Sequence, residues 1–426
     1  MLARSLIYFE ALLRFDLEFN RIQVFNGRLI SHVGSICMTA VHFLFAATIS
    51  VWLYTMVIYP LTMAVIGFLC HNPVTKGEVR WPLVSLIVPC HNEEAVIAAK
   101  LANVAKIDYP KDRLEIFVVS DGSEDRTVEI TKESAPETVH ILDFRERRGK
   151  TSIVNDAVAK CSGSLLCLCD ANVMFHPDAL RLLVRRLINS PAVGAVTGDV
   201  RLASENSDFG AGESLYYRFE RALQVGESAL GSTMGVDGGM YVLRRELYYP
   251  PMASTILDDF VISMRVIMAG KRVIYEPAAV ADENATPSSG IEFRRRIRVT
   301  AGAVQTLRWG IWPSPFRRPV EFWQWCSHKF LRWLSPFWLI AIFVLSGVHA
   351  LSYAWAAWFL ALQMLLYSLA ILALLMPSLR RFKLFGVCYY FALSHVAMLI
   401  GLYKGIRGTQ PVTWRRTQRS ASIDTR

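Results

Sequence analysis

Three long runs of the chain contain no charged side chain, and they dominate its hydrophobic pattern. Residues 36–69, 334–379 and 384–403 are free of Asp, Glu, Lys and Arg. A helix of roughly 20 apolar residues is long enough to cross a bilayer. The first run therefore predicts one tilted span that extends into the interface. The second run, joined around residues 347–353, predicts two spans, and the third predicts one.

The segment between residues 72 and 283 has a different pattern, in which short β-rich runs alternate with amphipathic stretches. This alternation predicts an α/β fold with a largely parallel sheet. Ligands bind beyond the carboxyl ends of the strands in such sheets, so the residues that follow each strand are the candidates for chemistry. We predict strands at residues 83–88, 115–120, 139–142, 165–169 and 193–197.

Polar residues follow the first four of these strands. In chain order they are Asn92 and Glu93 after the first strand, Asp121 after the second, Lys150 after the third, and Asp170 and Asn172 after the fourth. Turn formation alone explains any one such loop. Four loops at one edge of a sheet indicate a ligand site. Asp121 precedes a glycine that allows a tight turn, and its carboxylate accepts hydrogen bonds from hydroxyl groups. Lys150 follows a glycine and is placed to meet phosphate, although a solvated lysine has the same pattern.

An acidic pair, Asp258 and Asp259, begins a further amphipathic stretch that ends near Gly270. Two acids at a helix N-terminus can serve as caps that complement the helix dipole. Because one acid suffices for a cap, the second is also free to face a cleft. The sequence leaves both interpretations open.

A cluster of arginines follows, made of Arg294, Arg295, Arg296 and Arg298. On a helix, Arg295 and Arg298 lie on one face. One interpretation is a basic helix beside the membrane that meets anionic lipid. The other is a set of cations that closes over a diphosphate.

Composition narrows the possible partners. The chain has 426 residues, 53% of them hydrophobic, and a formal net charge of +10. A soluble protein of that charge would suggest nucleic acid, but basic residues here gather beside apolar runs, as at Arg380 and Arg381, which is typical of cytoplasmic loops. We therefore predict membrane lipid, and no nucleic acid, as a partner. The eight cysteines lack the spacing of a metal knuckle or disulfide framework, so Cys167 and Cys169 are expected to be reduced core residues.

Together these motifs resemble the membrane-embedded processive branch of glycosyltransferase family two, which includes cellulose synthase, hyaluronan synthase and poly-β-1,6-N-acetylglucosamine synthase. The resemblance is carried by "PCHNEE", "DGSEDRT", the Gly149–Lys150 turn, a DxD-type motif at Asp170, the acidic pair where the family has Thr-Glu-Asp, and the arginine segment where it has QxxRW. It implies a GT-A, Rossmann-like α/β domain together with transmembrane helices.

The resemblance also implies a role for each site residue. Asn92, Glu93, Asp121, Lys150, Asp170 and Arg298 would bind a nucleotide-sugar donor, with Arg298 on the diphosphate. Asp259 would be the general base for an acceptor hydroxyl, with Asp258 beside it. A divalent cation, Mg²⁺ or Mn²⁺, would be held by Asp170 and Asn172.

The sequence departs from the family pattern at three places that affect these roles. Asp258 stands where the family has Glu before the presumed base, and its side chain is shorter. Asn172 occupies the second acidic position of the DxD motif, so the metal is held more weakly or another carboxylate completes its site. In the QxxRW segment, Arg298 keeps the arginine. Arg295 and Val299 replace the Gln and the Trp, which in the family gate the acceptor or the diphosphate. The aromatic stretch 320–333 is either a replacement platform for a sugar chain or an interfacial belt.

The resulting expectation is an enzyme that transfers a sugar with inversion from a UDP-hexose or UDP-N-acetylhexosamine to a growing β-linked polysaccharide, with translocation across the membrane. The alternatives are a non-processive transferase with a lipid-linked acceptor, and an inactive membrane scaffold of a synthase complex with other subunits. The expected location is a bacterial inner membrane, with the catalytic domain cytoplasmic.

The expected order of segments is an amphipathic interfacial segment without a cleavable signal (1–32), a transmembrane segment (33–70), a GT-A domain (71–290), interface helices (291–333), about three transmembrane helices (334–403) and a basic tail (404–426). Three spans after a cytoplasmic domain put the C-terminus outside, whereas basic residues of the tail, such as Lys404 and Arg407, favour the inside. The sequence leaves that conflict open.

Overall fold

The computed structural model describes residues 38–70, 80–136, 138–202, 210–283 and 289–412. The predicted interfacial segment 1–32 and most of the predicted basic tail lie outside these residues. The described chain forms two compact units. One unit contains residues 38–53 with Phe337–Gln363, and the other contains Tyr54–Pro336 with residues 364–412.

An eight-stranded mixed sheet forms the centre of the larger unit, counted over the described residues. Its strands are β1 (Val84–Cys90), β2 (Leu114–Asp121), β3 (Val139–Phe144), β4 (Leu165–Cys169), β5 (Val173–Phe175), β6 (Val193–Leu202), β7 (Met240–Arg244) and β8 (Arg272–Glu283). The strand order is β3-β2-β1-β4-β7-β6-β8-β5. All five predicted strands are present, whereas β5, β7 and β8 were not predicted.

The sheet is parallel where the predicted site lies and mixed beyond it. Strands β1 to β4 run parallel to one another, and β6 runs parallel to β8. β7 is antiparallel to both β4 and β6, and β5 is antiparallel to β8. The prediction of a largely parallel sheet is therefore correct, with two reversed strands that the pattern did not reveal.

Helices flank the strands, and further helices follow the sheet. They are α1 (Met38–Leu69), α2 (Ile97–Ala105), α3 (Thr127–Ser134), α4 (Lys150–Lys160), α5 (Ala179–Ile188), α6 (Gly210–Leu230), α7 (Asp258–Met268), α8 (Ser289–Arg308), α9 (Pro319–Trp333), α10 (Ser335–Ala350), α11 (Ala354–Leu375) and α12 (Lys383–Arg407). α1 includes a π-helical turn at Tyr54–Ile58, and α9 includes one at Cys326–Phe330.

Strand β4 consists of apolar residues only, with the sequence LLCLC. All five of its side chains are buried. Leu165, Cys167 and Cys169 join one hydrophobic cluster, and Leu166 and Leu168 join another. Because successive side chains of a strand point to opposite faces, both faces of the sheet are covered. Cys167 and Cys169 are free thiols in this core, as predicted.

Three described helices are long and apolar enough to cross a membrane, namely Met38–Leu69, Ala354–Leu375 and Lys383–Arg407. The number rises to four if the bent pair Pro319–Trp333 and Ser335–Ala350 forms one span. The sequence pattern predicted a single first span, which corresponds to α1. It also predicted a break within the second apolar run, which lies between α10 and α11. α10 alone has 16 residues, about 24 Å of helix, which is shorter than the hydrocarbon core.

A buried polar network joins α6, α9 and the part of α1 within the larger unit. The Glu227 carboxylate accepts hydrogen bonds from the Tyr59 hydroxyl (2.7 Å) and the Met234 backbone N–H (3.2 Å), and it contacts His328 Nδ1 (2.9 Å). His328 Nε2 in turn lies 3.1 Å from Glu220, and Arg332 pairs with the same carboxylate at 2.6 Å. Met234 lies in the loop that leads from α6 to β7, so this network fixes the start of that loop.

Replacing Glu227 should destabilise the larger unit. The side chain is fully buried, and its removal leaves the Tyr59, His328 and Met234 groups without their acceptor. Breaking a buried charged network from one side costs about 3 kcal/mol or more. We expect E227A to lower the thermal unfolding midpoint in detergent by several degrees, measured by tryptophan fluorescence. E246A changes an exposed carboxylate and should melt as wild type. Equal midpoints for the two variants would contradict this role.

Candidate active site

An open cleft of about 770 Å³ lies at the carboxyl ends of β1, β2 and β4. It is lined by Pro89, Cys90, His91, Glu93, Asp121, Arg147, Gly149, Lys150, Thr151, Ile153, Asp170, Ala171, Asn172, Thr255, Asp258, Arg298 and Val412. Seven of these had been singled out in the sequence. Asp259 lines an adjoining cavity of about 250 Å³, which shares Lys150 and Asp258 with the cleft. Of the residues predicted for the site, Asn92, Arg295 and Val299 are the ones that line neither cavity.

Asn92 holds two loops together. Its backbone has a φ of 54°, a left-handed conformation that asparagine tolerates better than most residues. Its side-chain oxygen accepts the Glu124 N–H at 2.7 Å, and its own N–H donates to Ser123 Oγ at 3.1 Å. The amide is therefore occupied by the neighbouring loop, and the structure gives no support for the predicted contact with donor.

Asp121 fixes the turn that begins α4. The carboxylate is buried and accepts the backbone N–H groups of Arg148 (2.6 Å) and Gly149 (2.9 Å). Gly149 has a φ of 89°, which a residue with a side chain rarely adopts. The end of β2 thereby positions the first residue of α4, which is Lys150.

Lys150 lies among three carboxylates. Its Nζ is 2.7 Å from Asp170 Oδ1. Burial lowers the pKa of Lys150, but Asp170, Asp258 and Asp259 outweigh burial and raise it above its ordinary value. The lysine therefore stays charged at neutral pH. It provides a fixed cation between the end of β4 and the start of α7.

Asp259, the second member of the acidic pair, has a raised pKa. Burial raises its pKa to about 6, and Asp258 adds to that effect while Lys150 opposes it. Its Oδ1 accepts the N–H of Phe260 at 2.7 Å. A Cβ at Gly238 would lie only 2.9 Å from Asp259 Oδ2, so the loop before β7 reaches the carboxylate only because glycine stands there. A carboxylate with a pKa near 6 is a better proton acceptor than an ordinary aspartate.

The DxD-type turn lies between β4 and β5. Asp170 lines the cleft, and the buried Asn172 lines it as well while donating Nδ2–H to Glu283 Oε1 at 2.8 Å. Over the described residues, no three His, Cys, Asp or Glu side chains form a metal-binding group. A Mg²⁺-type cation is usually held by one or two carboxylates together with substrate phosphates. One carboxylate and one amide oxygen beside a diphosphate therefore fit such a cation.

Only one of the four clustered arginines reaches the cleft. Arg298 lines it and donates Nη2–H to the Ile256 carbonyl at 2.8 Å. Arg296 pairs with Glu292 at 2.9 Å, and Arg295 lies 3.7 Å from the same residue. Val299 is 41% exposed and lies outside the cleft. Arg295 and Val299 therefore do not line the cleft, whereas Arg298 does, and its role toward a diphosphate stays a prediction.

The letters of a QxxRW motif recur ten residues further on, almost three helical turns, at Gln305–Thr306–Leu307–Arg308–Trp309. The assignment of the motif to residues 295–299 overlooked this match. Gln305 accepts the Ile256 N–H at 2.9 Å and donates to the Ser254 carbonyl at 2.8 Å. Arg308 donates to the carbonyls of Gly405 and Ile406, away from the cleft. This second match braces the loop before α7, and Arg298 remains the arginine at the site.

The aromatic stretch 320–333 is largely core. Trp325 is 5% exposed and stacks on Trp312, Phe322 and Phe330 at centroid distances of 5.8, 6.0 and 5.6 Å. Trp333 meets it edge-on at 6.3 Å. These rings pack against one another, so they do not form a free platform for a sugar chain.

Comparisons with known proteins agree with this geometry. The model of the family "Glycosyltransferase like family 2" matches residues 82–302. The chain is 27% identical over 273 residues to "Probable glycosyltransferase YdaM" of Bacillus subtilis (strain 168), covering 59% of this chain and 64% of that protein. It is 24% identical over 229 residues to poly-β-1,6-N-acetyl-D-glucosamine synthase of Staphylococcus aureus (strain COL), covering 53% and 55%. The chain thus spans less than two thirds of the length of these relatives.

Solved structures include one that matches over most of the chain. The mannosyltransferase PcManGT from Pyrobaculum calidifontis, in complex with GDP-Man and Mn²⁺, superposes with a TM-score of 0.65 at 25% identity. The match covers 86% of this chain and 100% of that one. That protein is a nucleotide-sugar enzyme with a bound divalent cation.

Removing the central cation should make stability depend on pH. Lys150 lowers the pKa of Asp259, so without it the folded-state pKa of that carboxyl rises further above its unfolded value. Stability is then lost as pH rises through that pKa, because ionising an uncompensated carboxylate is unfavourable. We expect the melting temperature of K150M to fall relative to wild type as pH increases from about 5 to 8.

The matched control is R126M, which removes a cation from an exposed pair with Glu129. Exposed pairs contribute little, so its melting temperature should follow wild type across the same range. A pH-independent difference between K150M and wild type would contradict the proposed electrostatic role of the lysine.

Proposed function

The chain belongs to glycosyltransferase family 2, and from that premise we propose that it transfers a sugar with inversion from a nucleotide-sugar donor to a β-linked polysaccharide growing at a membrane. The family membership, the GT-A fold and the transferase class agree with the expectations from sequence. The observation that carries the proposal is the position of Asp259. Its pKa is raised to about 6, and it lies beside a cleft whose rim holds Lys150 and Arg298.

The donor would lie in the larger cleft with its diphosphate near Lys150 and Arg298. The acceptor would enter beside Gly238, in the smaller cavity. The oxygen of an acceptor hydroxyl attacks the anomeric carbon, and its proton passes to Asp259. The bond between that carbon and the diphosphate oxygen breaks, and nucleoside diphosphate leaves with the negative charge. Attack opposite the leaving group inverts the anomeric configuration, and the cations stabilise the departing diphosphate.

We assign the divalent cation, Mg²⁺ or Mn²⁺, to Asp170 and Asn172. When bound, it would neutralise charge on the diphosphate. The Mn²⁺ in the mannosyltransferase structure supports this assignment. Asp170 has one oxygen paired with Lys150, so lysine and cation would share this carboxylate.

The wider setting of the reaction is also a proposal. We place the enzyme in a bacterial inner membrane with the catalytic domain, residues 71–290, on the cytoplasmic side. The apolar helices α1, α11 and α12 support membrane insertion. Relatives that synthesise poly-β-1,6-N-acetyl-D-glucosamine support a UDP-N-acetylhexosamine as donor and a polysaccharide as acceptor, whereas the mannosyltransferase makes GDP-mannose a donor to test.

A second candidate function is single-sugar transfer to a lipid-linked acceptor. Two observations favour it. Trp309, the tryptophan of the QxxRW match, packs against the hydrophobic core, and Trp325 is packed in that core instead of forming a replacement surface. A growing chain therefore has fewer aromatic contacts to hold it between additions.

Purified protein in detergent tests the proposal directly. UDP-glucose, UDP-N-acetylglucosamine and GDP-mannose would each be supplied with Mg²⁺ or Mn²⁺, and nucleoside diphosphate release and product length measured. Long chains support the synthase, and a single-sugar lipid adduct supports the second candidate. Absence of release with every donor, from protein that is folded by its melting curve, would favour the inactive scaffold.

The pH profile should identify Asp259 as the base. Because only the ionised carboxylate accepts a proton, kcat/KM should rise about tenfold per pH unit below its pKa and level off above about pH 6. The kcat/KM of D259N should be at least about 100-fold lower than that of wild type, and the rising limb of its pH profile should be absent. D258N removes the charge that helps raise the Asp259 pKa, so its limb should move to lower pH. An unchanged limb in D259N would assign the titration to another group.

A methyl group at position 238 should impair the same step. In G238A the new Cβ would come within 2.9 Å of Asp259 Oδ2 and displace the carboxylate. Misplacing a catalytic group by about 1 Å can cost on the order of 100-fold in rate. We expect a fall of that size in turnover with an unchanged melting temperature. G290A is the control, since its nearest neighbour would be 3.8 Å away, and it should retain activity. Wild-type turnover in G238A would contradict the assigned geometry.

A further inference from the structure

The amide at the second position of the DxD-type turn has a partly buried carboxylate partner from a distant strand. β5 pairs antiparallel with β8, and Val173 lies opposite Glu283. This register brings Asn172, the residue before β5, next to the last residue of β8. Asn172 is only 2% exposed, and its Nδ2 lies 2.8 Å from Glu283 Oε1.

The chemistry of that contact fixes the direction of the amide. A carboxylate accepts hydrogen bonds and an ionised one cannot donate, so Asn172 must present its NH₂ group to Glu283. Its carbonyl oxygen then points to the opposite side of the same planar group. Asn172 lines the cleft, and Glu283 is absent from that lining among the described residues. The amide oxygen is therefore the part available to a ligand beside Asp170.

A second acidic side chain, Asp237, lies near Glu283. Asp237 is partly buried, and desolvation raises its pKa to about 7; Glu283 adds to this effect, while the Gly239 N–H and Arg295 oppose it. Negative charge is thus placed one hydrogen bond away from the cleft. A carboxylate that bonds to a ligand group also increases the electron density of that group.

We propose that Glu283 is a positioning residue that holds the Asn172 oxygen toward a divalent cation at Asp170. This inference rests on the proposed function, which supplies the diphosphate that completes the cation's ligands. The negative charge missing from the second acidic position lies one hydrogen bond further out, on Glu283. The Asn172–Glu283 pair acts in place of a single carboxylate.

Mn²⁺ binding to the full chain in detergent tests this role without turnover. Electron paramagnetic resonance reports free Mn²⁺, and titrations would be run with UDP, with GDP and with no nucleotide. A glutamine at position 283 can donate as well as accept, so it no longer fixes the amide. We expect E283Q to weaken Mn²⁺ binding by about tenfold, the lower end of the loss seen when a residue behind a metal ligand is changed.

The matched control is D282N, one residue away on β8. Asp282 pairs with His176 at 2.9 Å and is partly exposed, and the variant should bind Mn²⁺ within about twofold of wild type. Melting curves of both variants report on folding. Equal Mn²⁺ affinities for E283Q and wild type would overturn the inference, as would an equal loss in D282N.

A double variant separates positioning of the cation ligand from simple packing. In N172D/E283Q the charge moves to position 172, and the glutamine NH₂ can donate to the new carboxylate. We expect this variant to recover wild-type Mn²⁺ affinity. If it binds as weakly as E283Q, the pair is structural and the inference fails.

The outcomes for metal and for sugar transfer are distinguishable. Wild-type protein that binds no Mn²⁺ with or without either nucleotide overturns the role of Glu283, yet nucleoside diphosphate release can still support the transferase. Conversely, the expected Mn²⁺ pattern without sugar transfer supports the positioning role and contradicts the proposed function.

Discussion

The ion pair between Lys150 and Asp170 is the interaction on which the rest of the site depends. It joins the first residue of α4 to the residue that follows β4, at 2.7 Å. Asp258 and Asp259 approach the same ammonium group from the start of α7. Without that cation, three carboxylates from two elements would face one another in a partly buried cleft, where like charges are costly. The lysine makes their arrangement tolerable and leaves Asp259 with a pKa near neutrality.

The fold produces this arrangement through backbone contacts that the sequence signals only in part. β1, β2 and β4 are parallel neighbours, so their carboxyl ends meet at one edge. That rule made Glu93, Asp121, Lys150 and Asp170 predictable as a group, although no one of them was diagnostic. Asp258 and Arg298 were predictable from the order of motifs along the chain, and both line the cleft.

What the sequence did not reveal depends on long-range pairing. β5 has three residues, too few for a periodic pattern, and its register with β8 is what brings Glu283 to Asn172. Gly238 is significant only because Asp259 lies beside it in space. Asn92 and Arg295 have the residue types of ligands, but the Asn92 side-chain oxygen accepts the Glu124 N–H, and Arg295 lies 3.7 Å from Glu292 outside the cleft. Such competition between near neighbours and a ligand cannot be inferred from residue type or spacing.

The charges that line the site favour a bound cation in addition to the protein's own Lys and Arg side chains. Five carboxylates, Glu93, Asp121, Asp170, Asp258 and Asp259, line the two described cavities, against three cations, Arg147, Lys150 and Arg298. A sugar diphosphate would add further negative charge to this excess. Backbone N–H groups stabilise the Asp121 carboxylate. Partial protonation of Asp259 near pH 6 reduces the excess without removing it. A divalent cation beside Asp170 would supply the missing positive charge where the diphosphate leaves, and an amide ligand backed by a carboxylate can bind it without adding another full charge to the cleft.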